Sequence, residues 1–193
     1  MDLIQRIKAI LLTPETEWQK IEQEPGGILA LFGGYVVVLA AIPPVADFLC
    51  RAVIGMTLAS GATARMPVFP ALFNALLDYV LAFVVVYALA LIIDFLAPRF
   101  EGVKSFPSAL KLATYAMTPY WLAGIFLLIP GLRFLMMFGL YGAWLLWIGL
   151  PHLMKSPPER SLAYAGTIAG IACVIYLAIS LATDVLFPFP RTP

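Results

Sequence analysis

The sequence predicts an all-α integral membrane protein, a bundle of five transmembrane helices preceded by short amphipathic interfacial helices. Three observations carry that reading. Of 193 residues, 62% are hydrophobic and 12% charged, with a mean hydropathy of +0.95; a soluble domain carries about 25% charged and about 45–50% apolar residues. Eight of the 23 Asp, Glu, Lys and Arg residues fall in the first 25 positions, so the remainder is almost uncharged. Five apolar runs follow, each near or beyond the length of about 20 residues that a helix needs to cross a hydrocarbon core.

The front of the chain divides from the rest at Gly27: residues 1–27 form a cytoplasmic interfacial leader and residues 28–193 a five-helix membrane domain. In residues 2–12, "DLIQRIKAILL", the side chains of Leu3, Ile4, Ile7, Ile10 and Leu11 recur at helical spacing, leaving Arg6 and Lys8 to face phosphate headgroups. Thr13 is a good N-cap, Pro14 suits the first helical position, and Glu15 and Glu17 complement the positive end of the helix dipole. A second short helix from Pro14 to about Gln23, with Trp18 and Ile21 on one side, ends at Pro25-Gly26-Gly27. The leader is either a solvated lead-in that anchors the first span or a docking surface, with Arg6, Lys8, Trp18 and Lys20 as its contacts.

The runs are residues 28–49, 70–96, 109–129, 132–151 and 162–183. The first starts too late and is too long for a cleaved signal peptide. The second exceeds what a bilayer needs, so tilt or protrusion is expected. Pro130-Gly131 joins the third and fourth so tightly that they must be antiparallel neighbours. Pro43-Pro44, Pro119 and Pro151 should kink or end their helices. Gly139-x-x-Gly142 and Gly166-x-x-x-Gly170 permit close backbone approach, packing the bundle or, through Gly166 and Gly170, forming a homo-oligomer. Alternate loops hold eight and four Lys or Arg residues, so the amino terminus is expected in the cytoplasm and the carboxyl terminus outside.

Three stretches resemble bacterial members of the Yip family: "RIKAILLTPETEWQKIEQEP" at the front, "LATYAMTPYWLAGIFLLIPGL" with Tyr115 and Pro119 at the spacing of the family's Gly-Tyr-x-x-x-Pro region, and "LLWIGLPHLMKSPPERSLAY" at the end of the fourth run. The resemblance implies a five-span membrane protein whose eukaryotic relatives interact with Rab-type GTPases. Thr114 stands where the family has glycine, and the eukaryotic Asp-Leu-Tyr-Gly-Pro motif before the first span is missing. GTPase binding is therefore not carried over.

Few residues can carry chemistry. A charge at the bilayer centre costs roughly 2.5–3.5 kcal/mol on insertion scales, which makes an intramembrane ionisable residue a functional candidate. Asp78 lies about 8 residues into the second run, roughly 12 Å deep at 1.5 Å per residue, with Asn74 one turn away. Asp47, Asp184, Arg51 and Arg133 share the same half of the membrane. Asp78 is either a proton or cation site or a partner of Arg51, Arg133 or a tyrosine hydroxyl. Trp121 is too deep for an interfacial belt and needs an acceptor for its N–H; with Tyr115 it would complete a polar middle facing Asp78. Asp94 pairs with Arg99, and His152 contacts headgroups, on these expectations. Cys50 and Cys173 read as packing residues, and the lone histidine lacks partners for a metal. No cofactor or nucleic acid is expected, nor are the elbows and phosphate loops of common enzymes present. The sequence thus favours a non-enzymatic inner-membrane scaffold or adaptor for lipids and a membrane or cytoplasmic protein partner. A small proton or cation transporter using Asp78, Asn74 and Tyr115 is the alternative.

Overall fold

The computed structural model describes residues 2–24, 27, 31–57 and 63–186, with the side chains of Met56, Thr57, Tyr176 and 178–186 excepted. The described chain is all-α apart from a two-residue hairpin, β1 (Met56–Thr57) with β2 (Thr63–Ala64). The leader forms α1 (Leu3–Leu12) and α2 (Pro14–Gln23), as the apolar spacing and Pro14 dictate. Thr13 does not cap α2 with its side chain; its hydroxyl donates back to the Ala9 carbonyl at 3.2 Å. The expected stop at Pro25-Gly26 and the first residues of the first run, 28–30, lie outside the described residues.

The first run becomes α3 (Phe32–Ile54). It begins and ends in π-helical turns and breaks at Ala40 and Ala41, just before Pro43-Pro44, whose missing N–H groups suit the start of a new helical segment. It runs past the expected residue 49 because nothing in "CRAVI" stops a helix; Gly55, at φ 91°, does. Next, α4 (Val68–Phe100) is the longest apolar rod, α-helical over Val68–Leu96 and tightened to 3-10 over Ala97–Phe100.

The third run is not one helix. It is α5 (Phe106–Ala116) and α6 (Thr118–Ala123), which continues as a 3-10 turn over Gly124–Leu128. The break falls at Met117, where Pro119 cannot donate to the carbonyl of residue 115 and its ring crowds that turn. The fourth run is α7 (Pro130–Leu153), 3-10 over Pro130–Leu140 and α over Tyr141–Leu153; only Ile129, in extended conformation, separates it from its predecessor. Pro151 lies inside the last turn, and the helix continues to Leu153. The chain closes with α8 (Pro158–Leu186).

Among the described residues three helices are long and apolar enough to cross a membrane: α3, α4 and α7, of 23, 33 and 24 residues. The helix α8 has 29 residues, but its side chains are described only in part. In the bundle α4 packs on α3 and α5, α7 packs on α5 and α8, and α6 packs on the 3-10 part of α7. Glycines set these distances: a β-carbon on Gly142 would lie 2.3 Å from the Ala116 carbonyl oxygen, and one on Gly124 would lie 2.5 Å from Pro43 Cγ. Phe69, Leu72, Leu76, Val80, Val84, Leu91 and Phe95 leave an apolar outer face along α4. The burial of α4 is concentrated in its second half, at Val86, Ala90, Ile93 and Leu96. One hydrophobic core thus sits toward the leader end, and it includes Ile10, Trp18 and Ile21 of the leader itself.

Candidate functional site

The leader is folded onto the bundle. Its second helix lies along α7, and Trp18 is fully buried against Gly149, where an added β-carbon would come within 2.8 Å of Trp18 Cε2. The Trp18 ring meets Tyr115 edge-on at 6.1 Å, and Tyr115 meets Tyr35 edge-on at 4.9 Å. Tyr35 shares a 2.8 Å hydrogen bond with Thr118. Tyr115, Tyr35 and Thr118 therefore form a socket, with α5, α3 and α6 holding the aromatic column against which the leader closes, and Pro119 follows next to it in α6.

Arg6 explains why a charged helix can sit there. Its guanidinium is only 7% exposed, donates to Glu17 Oε1 at 2.6 Å and to Glu24, and lies over the Tyr115 ring at 5.7 Å. Glu17 is itself buried and also bonds Lys20 Nζ at 3.2 Å. Burial acts to lower the pKa of Arg6. The hydrogen bond with Glu24, the Tyr115 hydroxyl and the charges of Glu24 and Glu17 outweigh it, so the guanidinium stays above its ordinary value and fully charged. Lys111 of α5 reaches over to donate to the Ile21 and Glu24 carbonyls at 3.0 and 2.5 Å, satisfying the end of α2. Tyr141 of α7 donates to the Leu11 carbonyl at 2.8 Å, tying down the turn between α1 and α2. Glu22 pairs with Lys155 and lies 3.9 Å from His152 Nδ1.

Of the leader residues expected to face outward, Arg6 and Trp18 instead face inward, while Lys8 and the Lys20 side chain, 62% exposed, remain at the surface. Arg6 has two carboxylates within reach on α2, and a buried ion pair is tolerated only when such partners satisfy it. Sequence reading missed Glu17, Glu24, Lys111, Tyr35 and Thr118. One signal was available: Glu17, Trp18, Ile21 and Glu24 share one face of α2, and acids on an apolar face call for a buried cation.

The second polar group lies at the opposite end of the bundle. Asp47 of α3 bonds Arg133 at 2.6 Å and pairs with Arg51 Nε, four residues on, at 2.5 Å. Arg133 also contacts Cys50 Sγ at 3.8 Å. Asp78 is not the partner of either arginine; among the described residues it has no ion pair or hydrogen bond, and it is exposed on the flank of α4, with Asn74 half-buried one turn before it. Asp47 takes both cations: Arg51 is one turn on along the same helix and Arg133 reaches it from α7. The polar middle expected around Asp78 therefore does not assemble: Tyr115 belongs to the leader socket, and Trp121 is buried with no acceptor for its indole N–H among the described residues. Asp94 does not pair with Arg99, whose guanidinium lies over the Phe95 ring at 5.4 Å. Gly166 and Gly170 meet nothing within 4 Å, so they do not pack this bundle. The side chain of Asp184 lies outside the described residues. Trp144 and Trp147 are 39% and 38% exposed, as an aromatic belt requires.

The chain is 26% identical over 177 residues to the inner membrane protein YohC of Escherichia coli strain K12, covering 90% of each chain, and equally to YohC of the O6:H1 strain CFT073. No solved structure matches it. The model of the Yip1 domain matches residues 8–181, a stretch that takes in the leader from Lys8 onward, its aromatic socket and most of the helices behind both, and the chain therefore belongs to the Yip1 domain family.

Proposed function

We propose that the chain is a non-enzymatic, multi-pass inner-membrane protein that serves as a scaffold or adaptor, crossing the bilayer five times with its amino terminus in the cytoplasm and its carboxyl terminus on the periplasmic side. The observation that carries the reading is the docked leader. Helices α1 and α2 are clamped by Arg6, Trp18 and Lys111, so their outer face, with Lys8 and Lys20, is presented on a rigid support rather than on a loose tail. The Glu22–Lys155 and Arg160–Glu101 pairs continue that charged rim onto the neighbouring loops. A fixed charged platform at a membrane surface suits recognition of a partner protein or anionic headgroups.

The name of the related YohC supports the inner membrane, and the excess of Lys and Arg on the leader side supports the orientation. The length of α8, with the α5–α6 segment, supports five crossings. The open Gly166 and Gly170 leave α8 a face for a second copy.

Reporter fusions at each terminus test the topology: opposite sides are expected, and the same side would overturn it. For the platform, Lys8→Glu, at an exposed side chain outside the Arg6 clamp, should leave the fold intact while weakening retention on anionic vesicles or recovery of the cross-linked partner. Unchanged binding by this variant would remove the platform reading.

A further inference from the structure

Between α2, α7 and the start of α8 lies a cleft of about 290 Å³. It is separate from the leader socket and from the Asp47 cluster. Its lining is mixed: α7 brings the apolar Trp147, Ile148 and Pro151 together with His152, α2 brings the polar Glu15 and Gln19, and the start of α8 adds Pro158 and Ser161. Trp147 is the half-exposed residue of the aromatic belt, which sets the cleft at the level where phospholipid headgroups meet acyl chains. We propose that this cleft binds the headgroup of an aminophospholipid, with the primary ammonium on Glu15 and Gln19 and the glycerol region on Trp147 and Ile148.

The charge pattern selects the headgroup. Glu15 brings the one permanent charge among the lining residues, and it is negative. Lys155, the nearest base in sequence to His152, is held by Glu22 and does not line the cleft. An anionic headgroup would meet an unopposed carboxylate, whereas a zwitterionic one brings an ammonium to it and leaves its phosphate to the imidazole of His152. A primary ammonium has three N–H donors for the Glu15 carboxylate and the Gln19 amide oxygen. A quaternary ammonium has none and prefers a cage of several aromatic rings; the lining holds one. At the small end of the roughly 300–1,000 Å³ range of ligand sites, the cleft takes a headgroup and not a whole lipid. The proposal rests on the chain's lying in a membrane and not on its acting as a scaffold.

The test uses the full chain in nanodiscs of phosphatidylglycerol doped with phosphatidylethanolamine or with phosphatidylcholine, and native mass spectrometry of the lipids that stay bound. Phosphatidylethanolamine should be retained in preference to both others. Glu15→Gln should cut that preference about tenfold, the loss expected for one charge-assisted hydrogen bond. Glu159→Gln, an exposed carboxylate outside the lining, should leave it unchanged. Trp147→Leu should weaken retention without changing which headgroup is preferred. Free ethanolamine separates the sources of the amine: as it lacks the glycerol contacts it should fail to displace the lipid, and displacement would overturn the lipid assignment. A wild-type preference for phosphatidylglycerol, or full retention by Glu15→Gln, would overturn the site. Lys8→Glu should keep the lipid, so loss of the platform and loss of this cleft are read separately.

Discussion

The indole of Trp18 rests on the bare backbone of Gly149, and this contact joins the leader to the bundle. A β-carbon at Gly149 would also lie 2.5 Å from Leu112 Cδ1, so it is pinched between two side chains. Gly149→Ala should therefore cost about 1–3 kcal/mol through overpacking. Trp18→Ala should cost more, about 3–5 kcal/mol, by emptying a fully buried site. Thermal unfolding of the purified protein in detergent checks both, and a Gly149→Ala variant as stable as its parent would show that the leader does not dock here.

Arg6 and its two acids form a unit that can be broken in two ways. Removing the cation alone, as in Arg6→Met, leaves Glu17 buried and unopposed apart from the exposed Lys20, and should destabilise by about 3–5 kcal/mol. Adding Glu17→Gln to Arg6→Met should restore much of that loss, because the stranded charge is gone. A double-mutant cycle read from unfolding midpoints gives the coupling; additive effects would contradict a shared network.

Glycines that look alike in sequence should respond differently to alanine. Gly142→Ala places a β-carbon against the Ala116 backbone oxygen, which cannot swing away, so misfolding or a steep drop in stability is expected. At Gly166 and Gly170 the same change meets open space and should leave the monomer unaffected. If α8 mediates self-association, those two variants shift the oligomeric state measured in detergent by light scattering, and nothing else.

At the far end Asp47 and Asp78 are a matched pair of tests. Asp47→Asn strips the part-buried Arg133 and Arg51 of their shared carboxylate and should lower stability by about 1–3 kcal/mol. Asp78→Asn removes a carboxylate without a partner among the described residues and should leave the unfolding midpoint unchanged or raise it. Equal destabilisation by the two would mean that Asp78 holds the bundle together after all.

Much of the architecture was legible because it depends on local or one-dimensional signals. Apolar runs, Pro14 and the leader's helical spacing define α1, α2, α4 and α8 within a few residues, since helix length and periodicity are properties of contiguous sequence. The breaks at Pro43 and Pro119 follow equally from proline's missing donor. Less legible was the reach of α3 to Ile54, where no residue marks a stop until Gly55.

Pairing was not legible. The sequence by itself determined that the chain is a set of apolar helices with a charged front, because burying or exposing each side chain in lipid or water is decided by its own chemistry. Only the tertiary structure decided that Arg6 turns inward to Glu17 and Glu24, that Asp47 rather than Asp78 takes the two arginines, and that Tyr115 receives the leader instead of lining a polar path. Apart from Asp47 and Arg51, four positions apart on one helix, each of these depends on distances between residues 11 to 97 positions apart along the chain, which a kink at Ala40 or Met117 and the closeness allowed by Gly142 and Gly149 set in space.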